Sequence, residues 1–351
     1  MANTKVPSEL VSNQVFGRRN LIINGDMKVA QRATSATVGP NGTGEGYQTL
    51  DRWNHGLNNA AVTTVSQSST VPTGEGFANS MKIDVTTADT SVASTDFWIM
   101  TTKLEGQDLQ RIKKGTSNAE KLTLSFWVRS TKTGVYVVEL EDKDNATRSV
   151  SLSYTISSAD TWQKVELVFP ADTTGAFTND NNESLRIDWW LSAGTTYSSG
   201  TLNTTWASQT NANRAVGQVN WMDSTSNDFY LTGVQLEVGD NATPFEHLSY
   251  GEELALCERY LEVCRSGDDG YCGIWGSELN TSTNWWTGWQ FRQEKRAKPT
   301  FFLGNGCAWT KGGTAENVYE GLSHINFQSN DYFYFSGNTE GTAGMFAEAE
   351  L

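Results

Sequence analysis

The groups from which a reactive site could be built are few in this 351-residue chain: three histidines, four cysteines and 40 acidic side chains. His55, His247 and His324 lie far apart and none has a partner four residues on, so no zinc-protease helix is written here. Each reads as a surface or hydrogen-bonded histidine. A nucleophile elbow, a phosphate-binding glycine loop and a dinucleotide fingerprint are also missing. Four glycines fall between positions 39 and 46, but no apolar helix start follows them, so the stretch reads as a flexible loop. Cys257, Cys264, Cys272 and Cys307 contain no CxxC pair and read as small buried thiols, consistent with assembly in a reducing cytoplasm.

Carboxylates could serve glycoside hydrolysis, which needs two acids about 5–9 Å apart. Asp188, Asp223 and Asp228 are flanked by aromatics, but among 40 acids some pair meets that spacing by chance. They read as strand-edge or turn carboxylates, and no catalytic residue is assigned. Asp142-Lys-Asp144 lacks the glycine and final glutamate of a calcium-binding helix–loop–helix. Asp26 and Asp228 are the candidates for a structural calcium joining the first and last strands. The alternative is that each caps a turn. No other cofactor is expected.

Aromatic rings offer the better binding chemistry. Sugars present C–H faces that stack on rings, and a ring gives large contact area at small entropic cost. Trp285-Trp286-x-x-Trp289, with Trp275 and Trp309 nearby, is the densest cluster. In a strand Trp285 and Trp289 point one way and Trp286 the other, so they cannot all be buried in one thin core and also all bind. Trp206 sits in a polar stretch that gives it no apolar neighbours. Trp206, Trp275, Trp285, Trp286 and Trp289 are the carbohydrate-binding candidates, against the plainer reading of core packing.

The elements that must position these groups are short strands. Runs at 21–23, 48–53, 80–85, 97–104, 122–128, 135–140, 149–156, 162–169, 185–189, 216–221 and 229–238 are apolar, alternating or β-branched, with turn residues between them. In the last run Tyr230, Thr232, Val234, Leu236 and Val238 share the face predicted to meet the core. Without a helix long enough to cross between parallel neighbours, the pairing should be antiparallel. The expected fold is mostly β: a jelly-roll β-sandwich with a short helix and a smaller C-terminal β module. A helical turn is predicted at 106–113, and two long polar loops at 171–183 and 193–213.

Three parts follow: an attachment arm at 1–19, the sandwich at 20–248, and a helix plus Trp-rich β module at 249–351. Ser249 and Glu252 form a capping-box pattern, and Leu254, Cys257, Leu261 and Cys264 recur at helical spacing. That stripe reads as a helix docked on the sandwich, or as one packing against symmetry mates. Arg18, Arg19, Leu254 and Leu261 are accordingly the assembly candidates. The formal charge of −14 disfavours nucleic acid. The first ten residues hold no apolar signal region, and no apolar run reaches membrane-spanning length, so membrane insertion is not expected.

Asn20-Leu-Ile-Ile-Asn-Gly-Asp-Met27 and Leu50-Asp-Arg-Trp53 resemble the opening of virion appendage proteins of marine and cyanobacterial phages. Leu104 to Leu109, Leu122 to Ser130, Phe229 to Gly239, Ala242 to His247, Ser249 to Tyr260, Glu294 to Thr300 and Ala349 to Leu351 resemble the same group. The opening and the 229–239 strand also resemble galactose-binding-like carbohydrate-binding modules. The resemblance implies a tail fibre or short appendage, a homotrimer, virion partners docked through the arm, and host polysaccharide or lipopolysaccharide as ligand. It supplies no catalytic residue and fixes no sugar-contacting position. The 19 residues before the sandwich hold no shaft, which favours a short fibre, tail-tip component or capsid decoration. A decoration or connector without a receptor is the alternative, and a glycan depolymerase a third reading.

Overall fold

The computed structural model of the chain describes residues 18–264, 274–278, 285–303, 307–310, 317–329, 334–337 and 345–351. Thirteen strands build the main body: β1 (Ser35–Val38), β2 (Gly46–Tyr47), β3 (Asn54–Asn58), β4 (Val62–Ser68), β5 (Ser80–Thr87), β6 (Phe97–Glu105), β7 (Leu122–Ser130), β8 (Gly134–Asp142), β9 (Arg148–Ile156), β10 (Gln163–Phe169), β11 (Glu183–Ala193), β12 (Ala207–Ser208) and β13 (Asp228–Val238). They form a six-stranded sheet in the order β1-β4-β5-β13-β7-β10 and a seven-stranded sheet in the order β12-β9-β8-β11-β6-β3-β2. From β5 to β8 each successive strand changes sheet, and β9 to β11 cross over and back, which is the jelly-roll plan. The core lies between the sheets. Val65, Ile83, Phe126 and Leu231 meet Trp98, Met100, Leu140, Ile187 and Trp189 there. The mostly β sandwich expected from the alternation is present, and so is the short helical turn, Gly106–Ile112.

Several local expectations change. In β13, Phe229 and Leu231 face the core, and so do Val234 and Leu236, while Tyr230 does not. Simple alternation cannot give that pattern. The register against β7 shifts between Thr232 and Gln235, and Gly233 there has φ +62°. This bulge reverses the parity of the strand. The runs 21–23 and 48–53 are turns and bends, and 216–221 is a turn leading into the 3-10 helix Trp221–Asp223, so none is a strand. Their apolar residues Leu21, Ile22, Leu50 and Trp53 still enter the core.

The segment 20–25 serves β13 where β5 no longer pairs with it. Leu21 N–H donates to Leu236 O, and Val234 N–H donates to Gly25 O, both at 2.9 Å. The Asn20 amide donates to Val234 O and accepts from Ile22 and Leu236 N–H.

The helix Tyr250–Glu258 starts with the expected capping box of Ser249 and Glu252. It ends before the predicted stripe does. Leu261 and Cys264 lie on the strand Leu261–Cys264, which pairs with Met345–Glu348. Tertiary pairing has overridden helical spacing here. Cys264 is disulfide-bonded, so the thiol reading fails for it, while Cys257 is a free buried thiol.

Candidate functional site

The outer face of the seven-stranded sheet carries a cluster of charged groups joined by ion pairs. Alternation in β8 and β11 sends Leu140, Ile187 and Trp189 inward and leaves Glu139, Glu141, Arg186, Asp188 and Trp190 on the other side. Register sets Asp188 opposite Glu139 and Thr101, and Arg186 opposite Glu141 and Lys103. The stretch 194–219 folds back over one end of this face, where Trp190, Val137 and Ala215 form a small second core with Phe97, Ile99, Tyr197 and Leu202 at its margin. The predicted long loop at 193–213 is therefore structured, with a helical turn at Thr195–Ser198 and the short strand β12.

Arg214 comes down from that stretch onto the carboxylates. Its Nε donates to Glu139 Oε2 at 2.8 Å, its Nη2 pairs with Glu141, and Nη2 stands 3.7 Å from Asp188 Oδ2. Its guanidinium also lies 5.0 Å from the Trp190 ring centre and 5.9 Å from that of Tyr197. Thr101 Oγ1 donates to Asp188 Oδ1 at 2.5 Å, whereas Asp188 Oδ2 has no hydrogen-bond donor.

Three buried acids with one arginine among them cannot all be equally charged. Burial, with the Glu141 charge beside it, pushes Asp188 well above the ordinary carboxylate range. Burial likewise raises Glu139 to about 7, against the pull of Arg214. Glu141 is buried too, but Arg214 and Lys143 outweigh burial and hold it below its usual value. Ligand oxygens of Glu139, Glu141 and Asp188 lie within 4.8 Å of one another, so among the described residues this trio could hold a cation. Arg214 already stands among them.

Most predicted site residues lie elsewhere. Trp206 packs against the main core and donates its Nε1 to Pro170 O at 2.8 Å, so packing accounts for it. Trp289 is buried and meets Phe291 edge-on at 5.2 Å. Trp285 and Trp286 lie on the strand Trp285–Gln290 and Trp275 on its neighbour Ile274–Glu278, but their side chains are outside the described residues. Asp26 and Asp228 are not brought together. Asp26 pairs with Lys28 at 2.6 Å and Asp228 with Lys82 at 3.0 Å. Asp26 follows Gly25, which bonds Val234, six residues along β13 from Asp228 and so roughly 20 Å away.

Of the assembly candidates, Arg19 pairs with Glu237 at 3.0 Å, and Arg18 donates to Leu21 O. Leu254 packs beside Cys257 and Tyr260, and Leu261 is fully buried. His55 is neither exposed nor hydrogen-bonded. It lies in the interior 5.5 Å from Trp98, both ring nitrogens lack partners, and burial lowers it to about 3.

Sequence reasoning missed the Glu139, Glu141, Arg186, Trp190, Tyr197 and Arg214 group. The signal was present as charged residues on alternate positions of two strongly apolar strands.

No family profile matches the chain, and no curated protein matches it in sequence. Solved structures with similar arrangements include a putative sugar binding protein from Bacteroides thetaiotaomicron, 15% identical with TM-score 0.33, covering 63% of this chain and 100% of that one. A family 11 carbohydrate-binding module from Clostridium thermocellum, in complex with a β-1,3-1,4-mixed-linked tetrasaccharide, is 12% identical with TM-score 0.30, covering 55% and 91%. The enzymatically active domain of bacteriophage CBA120 tailspike protein 4 is 13% identical with TM-score 0.32; the match covers 62% of this chain and only 21% of the tailspike. At these scores the likeness carries no functional argument, and the sandwich stands on its own strand registers.

Proposed function

We propose that this protein is a glycan-binding β-sandwich of a phage particle, a short fibre or appendage that attaches to host-surface polysaccharide without cleaving it. One observation carries the binding reading. The outer face of the seven-stranded sheet sets partly exposed rings, Phe97 and Tyr197, beside Arg214, Arg186 and Lys103. Rings take the C–H face of a sugar while fixed charged groups pair with its hydroxyls.

The virion half rests on the resemblance of 20–27, 50–53, 229–239 and 249–260 to phage appendage proteins. Weak single sites suit such a setting, since linked copies raise avidity by about 10²–10⁴. A trimer docked through residues 1–19 would supply that valency. Replacing Tyr197 and Arg186 by alanine should abolish retention on host polysaccharide while circular dichroism shows the sandwich still folded. Retention that survives both substitutions would remove this face from the account.

The raised Glu139 and Asp188 favour one second reading, glycan cleavage, because a carboxyl kept protonated near neutrality can act as general acid. Both are buried beneath Arg214, which sets them away from any polymer. Oligosaccharide released from host capsule or lipopolysaccharide, and lost in Glu139→Gln, would establish cleavage.

A further inference from the structure

A separate cavity of about 490 Å³ opens between the segment 18–23, the turn Gly106–Ile112 and the end of the helix. Its floor is apolar, formed by Leu21, Ile23 and Tyr260, all buried. Its rim is polar, with Gln107, Asp108 and Gln110 exposed. Three arginines line it in a chain whose net charge is −14. Arg259 is occupied by a two-point ion pair with Glu105 at 2.8 and 2.9 Å. Arg18 and Arg111 have no carboxylate within ion-pair distance among the described residues.

Their hydrogen bonds go to backbone instead. Arg111 Nη1 and Nη2 donate to the carbonyls of Arg18 and Arg19 at 2.7 and 3.0 Å, and Arg18 Nη2 donates to Leu21 O at 3.3 Å. That leaves Arg18 Nη1 and Arg111 Nε shielded from water with no acceptor. Burial and the neighbouring Arg18 charge also lower Arg111 from its ordinary value. Two unpaired guanidinium donors of like charge at one cavity are an arrangement that an anion completes.

We propose that this cavity binds the carboxylate of a sugar acid, a uronate unit of an acidic glycan. The carboxylate would sit against the guanidinium groups of Arg18 and Arg111 where they line the cavity. The ring would lie on the Leu21, Ile23 and Tyr260 floor, with its hydroxyls against Gln107 and Asp108. The volume falls within the range of small-molecule sites, about 300–1,000 Å³. The choice of a sugar acid rests on the glycan reading above, whereas the carboxylate itself is carried by the two arginines.

The test is titration of the full chain at low salt with D-glucuronate, D-glucose and acetate, followed by calorimetry. Glucuronate should bind at least about tenfold more tightly than either of the others. Arg18→Gln and Arg111→Gln should each weaken it by about tenfold or more. Near-ultraviolet circular dichroism checks that the variants fold. Should Arg111→Gln unfold through loss of its backbone bonds, Arg18→Gln alone decides. Equal binding of glucose and glucuronate, or full binding by Arg18→Gln, overturns the site. Acetate binding as tightly as glucuronate overturns the sugar assignment. Failure of the sheet-face reading would show separately, as polysaccharide retention unaffected by Tyr197→Ala.

Discussion

The acids on the sheet face give the protein an inverted pH dependence. Folding favours protonation of Glu139 and Asp188, and also of Asp51, which burial raises to about 6. The folded chain therefore binds protons that the unfolded chain has already released. Stability from this source is complete below the unfolded carboxylate range, about pH 4, and is lost as pH rises through the folded values near 6 and 7. The melting temperature should fall between about pH 5 and about pH 8. Asp188→Asn, which keeps the shape without the charge, should flatten that fall. A melting temperature that rises steadily over the same interval in both proteins would contradict this assignment.

At the scale of elements, the sequence showed most of the sandwich and little of the site. Apolar strands such as β7 and β8 are legible because alternation and burial coincide in them. β13 was legible as a strand but not as a face. A glycine bulge reverses parity without changing composition, and Gly233 resembles any other strand glycine until its φ of +62° is seen. Tryptophan is hard to read from sequence for a related reason: a large ring draws attention wherever it falls, yet Trp289 is buried and Trp206 packs partly buried against the core.

The motifs that carry the family resemblance turn out to be scaffold. Asn20 closes the open half of β13, Trp53 donates to Asn24 O within the core, and Glu253 accepts from Asn24 N–H. That explains why the resemblance named a fold and a setting but no sugar-contacting residue. Asn20→Ala should cost roughly 2–4 kcal/mol in chemical denaturation, because it strands buried partners on Val234, Ile22 and Leu236. A loss within experimental error of zero would mean that the segment is not needed to complete the sheet.

Over the whole molecule, the described C-terminal residues are tied to the sandwich. Arg52 is almost fully buried and pairs with Glu350, which also meets Arg32 at 3.3 Å. Arg52 stacks 3.5 Å from the Tyr260 ring centre, and Lys103 and Tyr47 both donate to Leu351 O. The last residues thus join β2, β6 and the 48–53 turn to the strand after the helix. Glu350→Ala leaves a buried guanidinium without its anion and should cost about 3–5 kcal/mol. Differential scanning calorimetry should show the sandwich itself melting earlier. Unchanged melting would mean that the latch contributes nothing to the sandwich.

The proposed glycan site is the outer face of the seven-stranded sheet. Affinity electrophoresis of the intact protein through gels containing host-surface polysaccharides tests it most directly, with the Tyr197→Ala and Arg186→Ala variants run alongside. The expected result is retardation of the native protein by at least one polysaccharide and its loss in both variants with the sandwich still folded. Free migration of the native protein through every polysaccharide, or equal retardation of native protein and variants, would contradict it.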